Sequence, residues 1–349
     1  MTAIANCSFR RADELRNRAA KAAEEINLCL LPKRWSSFRC RLTEGKSCYR
    51  SCPASTHRVG RPQRVTGVQE LVGTVQTLWR YPVKSMLGDS PQRLDVEARG
   101  IRGDRAYALW DHASGRVASA KNPRLWQGLL GYRARFLEEP VPSAPLPPVL
   151  IGPQQGDGAA ELCSGDTDVG AFFSDVFGRR VSLLDTPPDG ASLDQYWPPV
   201  EGRAFQDETN ALELPAGTFF DACPIHAITT ATLERLRQLE PQRDFAVERF
   251  RPNLLIRTPE RAEGFVEETW SGSCLRIGEQ LVLRVDGGCP RCVVTTLAQG
   301  TLGEDLEILR ATARHNGVVA GIRLSVVTPG SVAVGDPVRL LRQDQPPGG

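Results

Sequence analysis

Gly287-Gly288-Cys289-Pro290-Arg291-Cys292-Val293-Val294-Thr295-Thr296 is the stretch on which the reading of this chain turns. The residues before it, Gln280 to Val285, partly alternate apolar and polar side chains and predict a β-strand. Two glycines and a proline break that strand and put a cysteine pair on the turn. Val293 to Leu297 is rich in β-branched residues, which predicts the start of a second strand. Cys292 is then presented at a strand-to-strand turn with Arg291 beside it. A guanidinium next to a thiol favours the thiolate, the form that acts as nucleophile and as metal ligand.

Taken alone, the pair is open to several readings. A thioredoxin-type motif would sit at a helix N-terminus within a βαβ unit, and the β-branched residues that follow argue against it. Half of a zinc site would need a second Cys/His pair, whereas Cys274 and Cys223 supply single thiols. One thiolate, Cys292, suits a soft transition metal. Two buried structural cysteines would need no ligand at all.

The bulk numbers narrow the field. With 349 residues, 41% hydrophobic and 24% charged, the chain has the make-up of a soluble globular protein and is long enough for two domains. Residues 1–66 hold 14 Lys+Arg and 5 Asp+Glu, leaving 29 and 36 for the rest. The body is therefore mildly acidic, which argues against a nucleic-acid-binding surface there. No apolar h-region and no run of 18 apolar residues occur, so no membrane span and a reducing, cytoplasmic compartment are expected. Only five lysines exist: Lys21, Lys33, Lys46, Lys84 and Lys121.

Residues 1–66 carry half of the ten cysteines and a helix-like run from Ala12 to Leu28, and they read as a disordered basic extension. A zinc-binding tail using Cys40, Cys48, Cys52 and His57 fits no standard spacing, and the acidic residues speak against a transit peptide. Frequent turns between short strands predict a β-rich first domain over 70–185, including a strand over Arg105 to Trp110. Residues 139–158, rich in proline, read as a linker, and Pro187 to Gln206 as a loop. Helices are predicted over Val169 to Phe177, Thr230 to Leu239 and Leu306 to His315. A second domain spans 186–341, with a strand over Phe250 to Ile256, and 342–349 is a loose tail.

Five short motifs occur in register: Tyr81-Pro82-Val83-Lys84-Ser85, Gly103-Asp104-Arg105, Phe250-Arg251-Pro252-Asn253, Arg291-Cys292-Val293-Val294-Thr295-Thr296 and Pro329-Gly330 through Pro337-Val338. Together, over about 70–341, they resemble the MOSC-domain proteins, in particular the two-domain members related to the amidoxime-reducing components. The resemblance implies an α+β, β-rich fold, a MOSC N-terminal β-rich domain followed by a MOSC β-barrel with a few helices. It also implies a molybdenum cofactor whose metal is bound by Cys292. Carried over by motif, Lys84, Ser85 and Arg105 would hold the pterin and its phosphate from the first domain, and Arg251 and Asn253 from the second. Arg291 would adjoin the ligand.

The implied activity is reduction of small N-oxygenated compounds with electrons from an external flavin and iron–sulfur donor. A sulfur carrier using a Cys292 persulfide, or a cofactor carrier, are the alternatives. Two departures from the pattern stand out. Leu297-Ala298-Gln299-Gly300 replaces a Val-Asp-Pro-type segment, and Ala222-Cys223 stands where the resemblance implies small hydroxyl residues near the cofactor, so that Cys223 is read as a cofactor-site residue close to the metal, or else as one that merely packs. His226 and His315 are read as structural.

Overall fold

The structure is a computed structural model that describes residues 69–154, 161–166, 168–202 and 205–342. The expectations for residues 1–66 and for 343–349 lie outside the described residues.

The expected β-rich α+β fold is what the chain adopts. Its centre is a closed seven-stranded barrel, ordered Gln69–Leu78, Leu254–Arg257, Ile225–Thr229, Val319–Thr328, Leu281–Pro290, Cys274–Ile277 and Pro337–Leu341. The barrel thus recruits its first strand from the N-terminal end of the described chain. Its interior is filled by alternate residues of these strands, among them Val75, Leu78, Leu254, Ile256, Leu283, Ile322, Leu324 and Leu340. All barrel pairings that carry the site are antiparallel except Ile225–Thr229 with Leu254–Arg257.

A parallel pair needs a crossover, and the helix Thr230–Leu239 begins it. The Thr229 side chain caps that helix by accepting from the Thr232 backbone N–H at 3.1 Å. Leu233 and Leu236 form its buried stripe, and they pack with Ile228, Phe250, Leu255 and Ile308 of the helix Glu307–Asn316 on the outside of the barrel.

The remaining strands form small sheets around a second core of Val83, Met86, Leu109, Trp126, Phe136, Ile151 and Phe173. Here the helix Val169–Phe177 ends where expected, at Gly178 in the left-handed conformation with φ 60°.

Five local expectations are corrected. The strand expected over Phe250 to Ile256 starts only at Leu254, because Val247–Phe250 is a 3-10 helix and Arg251 is left-handed. The 139–158 linker contains a strand, Val149–Pro153, paired with Tyr132–Phe136; its prolines lie before it and at its last position, where no ladder N–H is needed. The Pro187–Gln206 loop contains the strand Ser192–Trp197, which forms a hairpin with Glu208–Glu213. The strand expected from Arg105 starts only at Ala108, because Arg105 itself is left-handed. The segment after Cys292 is not a strand but a 3-10 helix, Val293–Thr296. Its threonine hydroxyls bond back onto the preceding turn, Thr295 Oγ1 to Cys292 O at 3.0 Å and Thr296 Oγ1 to Val293 O at 2.7 Å. These bonds outweigh β-propensity.

Candidate functional site

The strand expected to break after Val285 runs on through both glycines as Leu281–Pro290, bulged rather than ended, and delivers the cysteine turn. Its pairing with Val319–Thr328 shifts register between Val285 and Gly287 and between Gly288 and Pro290, which bends the end of the strand out of the ladder. Gly287, at φ 124°, allows the first of these bulges. Cys292 follows in extended conformation and stands at the N-terminus of the 3-10 helix, half-buried.

Arg291 turns away from it. Its backbone N–H donates to Val318 O at 2.7 Å, and its guanidinium reaches Cys289 Sγ at 3.1 Å, His226 Nε2 at 3.2 Å and Phe250 O at 2.6 Å.

Tyr81 is the hub on the facing side, and sequence reasoning quoted it without giving it a role. It is buried, its backbone N–H donates to Asp104 Oδ1 at 2.8 Å, and its hydroxyl donates to Pro252 O at 3.1 Å. The guanidinium carbons of Arg105 and Arg251 both lie 4.4 Å from its ring centroid. Burial pushes the Tyr81 hydroxyl up to about 12. Arg251, pulled down to about 10 by burial and the nearby Arg105 charge, remains a cation at neutral pH. Arg105 pairs with Asp104, and Arg251 donates to Met86 O at 2.7 Å.

Lys84 completes this wall. Its buried ammonium contacts Phe219 O and Asp221 Oδ1, each at 2.5 Å, and Lys121 reaches the other Asp221 oxygen at 3.3 Å. Burial alone would raise the Asp221 pKa, but the two lysines outweigh it and hold the carboxylate well below its usual range. Ser85 accepts from the Ala120 backbone N–H at 3.0 Å. Cys223 shares the surroundings of Cys289, Arg105, Arg323 and Arg291, and burial pushes its thiol up to about 12.

Asn253 is committed differently. It is 1% exposed, its Oδ1 accepts from the His226 backbone N–H at 3.1 Å, and its Nδ2 donates to Trp79 O at 3.3 Å. Its side chain clamps three adjacent barrel segments together.

Backbone strain gathers at this site. Of the six non-glycine residues with positive φ among the described residues, Ser85, Arg105 and Arg251 are site residues and Val318 holds the Arg291 backbone. For Arg251 the cause is local. It ends a 3-10 helix and precedes Pro252, which disfavours the right-handed helical conformation. A β-branched residue such as Val318 at φ 75° is rarer still, and each such position costs about 1–3 kcal/mol that the surroundings must offset. No composition or spacing rule would have found Tyr81, Lys121, Asp221 or Val318.

The balance of charge tells what the site wants. Among the described residues, Lys84 and Lys121 pair with Asp221 and Arg105 with Asp104, while the Arg251 and Arg291 guanidiniums donate to the backbone carbonyls of Met86 and Phe250. Arg251 Nη1 and Arg291 Nε are buried without any hydrogen-bond partner. Buried donors left over in a cationic basin are complementary to an anionic ligand rich in acceptors.

Comparison with known proteins gives the family. Residues 72–128 match the MOSC N-terminal beta barrel domain and residues 216–339 match the MOSC domain. The chain belongs to the MOSC-domain proteins. The MOSC domain so defined contains Cys223, Arg251, Asn253, Arg291 and Cys292, and the N-terminal match contains Lys84, Ser85, Arg105 and Lys121. Among curated proteins the chain is similar to mitochondrial amidoxime reducing component 2 of Rattus norvegicus, 28% identical over 80% of this chain and 87% of that one. The Homo sapiens protein of the same name is 27% identical over 79% and 86%. Among solved structures, the YUAD protein from Bacillus subtilis is similar at a TM-score of 0.40 and 12% identity, covering 78% of this chain and 98% of that one. No helix of the described residues is long and apolar enough to cross a membrane.

Proposed function

We propose that this MOSC protein is a molybdenum-cofactor-dependent oxidoreductase that reduces small N-hydroxylated compounds with electrons from an external flavin and iron–sulfur carrier. The observation that carries the reading is the set of buried cationic side chains described above, with Arg251 Nη1 and Arg291 Nε unpartnered and a half-buried thiol, Cys292, next in the chain to Arg291. A pterin with a phosphate supplies acceptors and negative charge for such donors, and a soft metal takes a thiolate. Likeness to proteins named amidoxime reducing components supports the same substrate class.

Lys84, Ser85 and Arg105 would hold the phosphate and pterin from one wall, and Arg251 and Arg291 from the other, with Cys292 as metal ligand. Asn253 serves the site indirectly, by fixing the strand ends from which His226 and Arg251 project. Cys223, kept protonated by burial, contributes a neutral surface beside the ligand. When bound, the metal supplies the two-electron redox change. In the net reaction the N–O bond breaks, two electrons and two protons are taken up, and the oxygen leaves as water.

The test is molybdenum and pterin content of the full chain purified from a host that makes the cofactor, beside Cys292→Ala. About one of each per chain, lost in the variant, with turnover of an amidoxime by the wild type, is expected. Molybdenum-free protein bearing cyanide-labile sulfur on Cys292 would replace this reading by sulfur transfer.

A further inference from the structure

Lys121 lies outside the motifs that mark the site, yet the fold brings it to the ligand-bearing helix. Its neighbour Ala120 packs in one buried cluster with Val293 and Leu297, directly after Cys292, together with Tyr196 of the hairpin. The loop is fixed from both sides, by Ala120 N–H to Ser85 Oγ at 3.0 Å and by Tyr196 N–H to Lys121 O at 2.8 Å.

The Lys121 side chain is 12% exposed, and its ammonium contacts Asp221 Oδ2 at 3.3 Å and Gln195 Oε1 at 3.1 Å. An ammonium has three donors, so one remains for a ligand. Asp221 also serves Lys84, and one carboxylate between two ammoniums leaves a positive charge in excess. Burial pulls the Lys121 pKa down, but the Asp221 carboxylate at 3.3 Å counters it and the ammonium stays charged. Lys84 and Lys121 thus share Asp221, and it is the packing of Ala120 on Val293 and Leu297 that brings Lys121 to the Cys292 turn.

We infer that Lys121 touches the substrate, donating a hydrogen bond to the oxygen of the N–O bond beside Cys292, and that Gln195 holds the ammonium in place for it. The inference rests on the function proposed above. Negative charge gathers on that oxygen as the N–O bond breaks, and a fixed ammonium in a water-poor site stabilises it.

The experiment compares the cofactor-loaded full chain with Lys121→Met, Lys121→Arg and Gln195→Leu, measuring molybdenum and pterin per chain, Tm, and kcat and KM for a simple amidoxime. Lys121→Met should keep its cofactor and Tm and lose on the order of 100-fold, chiefly in kcat. Lys121→Arg should recover part of the loss. Gln195→Leu should cost on the order of 10-fold through the loosened ammonium. Full loading with unchanged kcat in Lys121→Met overturns the Lys121 assignment and leaves the proposed function standing. Activity lost in proportion to cofactor also overturns it, since Lys121 would then be a retention residue. Wild-type protein without molybdenum overturns both.

Discussion

Arg291 Nη1 lies 3.1 Å from Cys289 Sγ, so the guanidinium expected to sit by the proposed metal ligand is bonded to the other cysteine of the pair. The cause is the extended backbone at Cys292, φ −131° and ψ −180°, since consecutive side chains of an extended chain point to opposite sides. Arg291 instead ties Cys289 to His226 and to Phe250 O, joining the Leu281–Pro290 strand to the Ile225–Thr229 strand and to the turn before Arg251.

A lysine at position 291 has one charged centre where arginine spreads a fork over three partners. Arg291→Lys should therefore lower stability by about 2–4 kcal/mol, read from urea unfolding of cofactor-free protein. Cys289→Ser, which keeps a small polar partner for the fork, should cost less. Equal stability of wild type and Arg291→Lys would mean that the three-way tie does not hold the turn.

Asn253 separates a clamp from a cofactor ligand. Asn253→Ala strands the buried His226 N–H and Trp79 O that its amide now satisfies. A loss of about 2–4 kcal/mol is expected, and it should be present with or without cofactor. A variant with normal stability that fails only to hold pterin would instead make Asn253 a direct ligand.

The fold class was legible from residues 70–341 because motif spacing carries over when backbone paths do. Arg105 and Arg251 meet on the Tyr81 ring, and Cys223 lies near Arg105 and Arg291, although these residues come from segments far apart in the chain. What the sequence could not convey is direction. Val293 to Thr296 has strand propensity, but hydroxyl-to-carbonyl bonds decide its shape locally. Asn253 has the right type for a pterin edge, yet its amide is already paired. Tyr81 sits inside a quoted motif, but only the folded chain reveals two guanidiniums over one ring. The left-handed conformations of Ser85, Arg105 and Arg251 leave no compositional mark, since none of the three is glycine.

Tyr81→Phe isolates one bond that spans the site, the hydroxyl to Pro252 O, while leaving a ring for Arg105 and Arg251. Its removal orphans a buried carbonyl and should cost about 1–2 kcal/mol in urea unfolding. Tyr81→Leu should cost more, because two cations then lose the ring face as well. If the two variants were equally stable, the ring would contribute nothing to holding the guanidiniums.

His226 makes the site acid-sensitive without being a catalyst. It is buried, and burial first and the Arg291 charge second hold its pKa well below the ordinary histidine value of 6.5. A histidine that cannot protonate when folded but does so when unfolded gives the unfolded state more bound protons at low pH. Stability is then fully present above pH 6.5 and falls as the pH drops below it, by about 1.4 kcal/mol per pH unit from this group alone. His226→Gln keeps a side-chain oxygen that can accept from Arg291 but removes the titration. Urea unfolding of cofactor-free wild type and variant between pH 7.5 and pH 5.5 should show the two curves diverging below about pH 6.5, with the wild type losing stability faster. Parallel curves would mean that His226 takes up its proton in the folded protein, and that Arg291 does not press on it as the 3.2 Å contact implies.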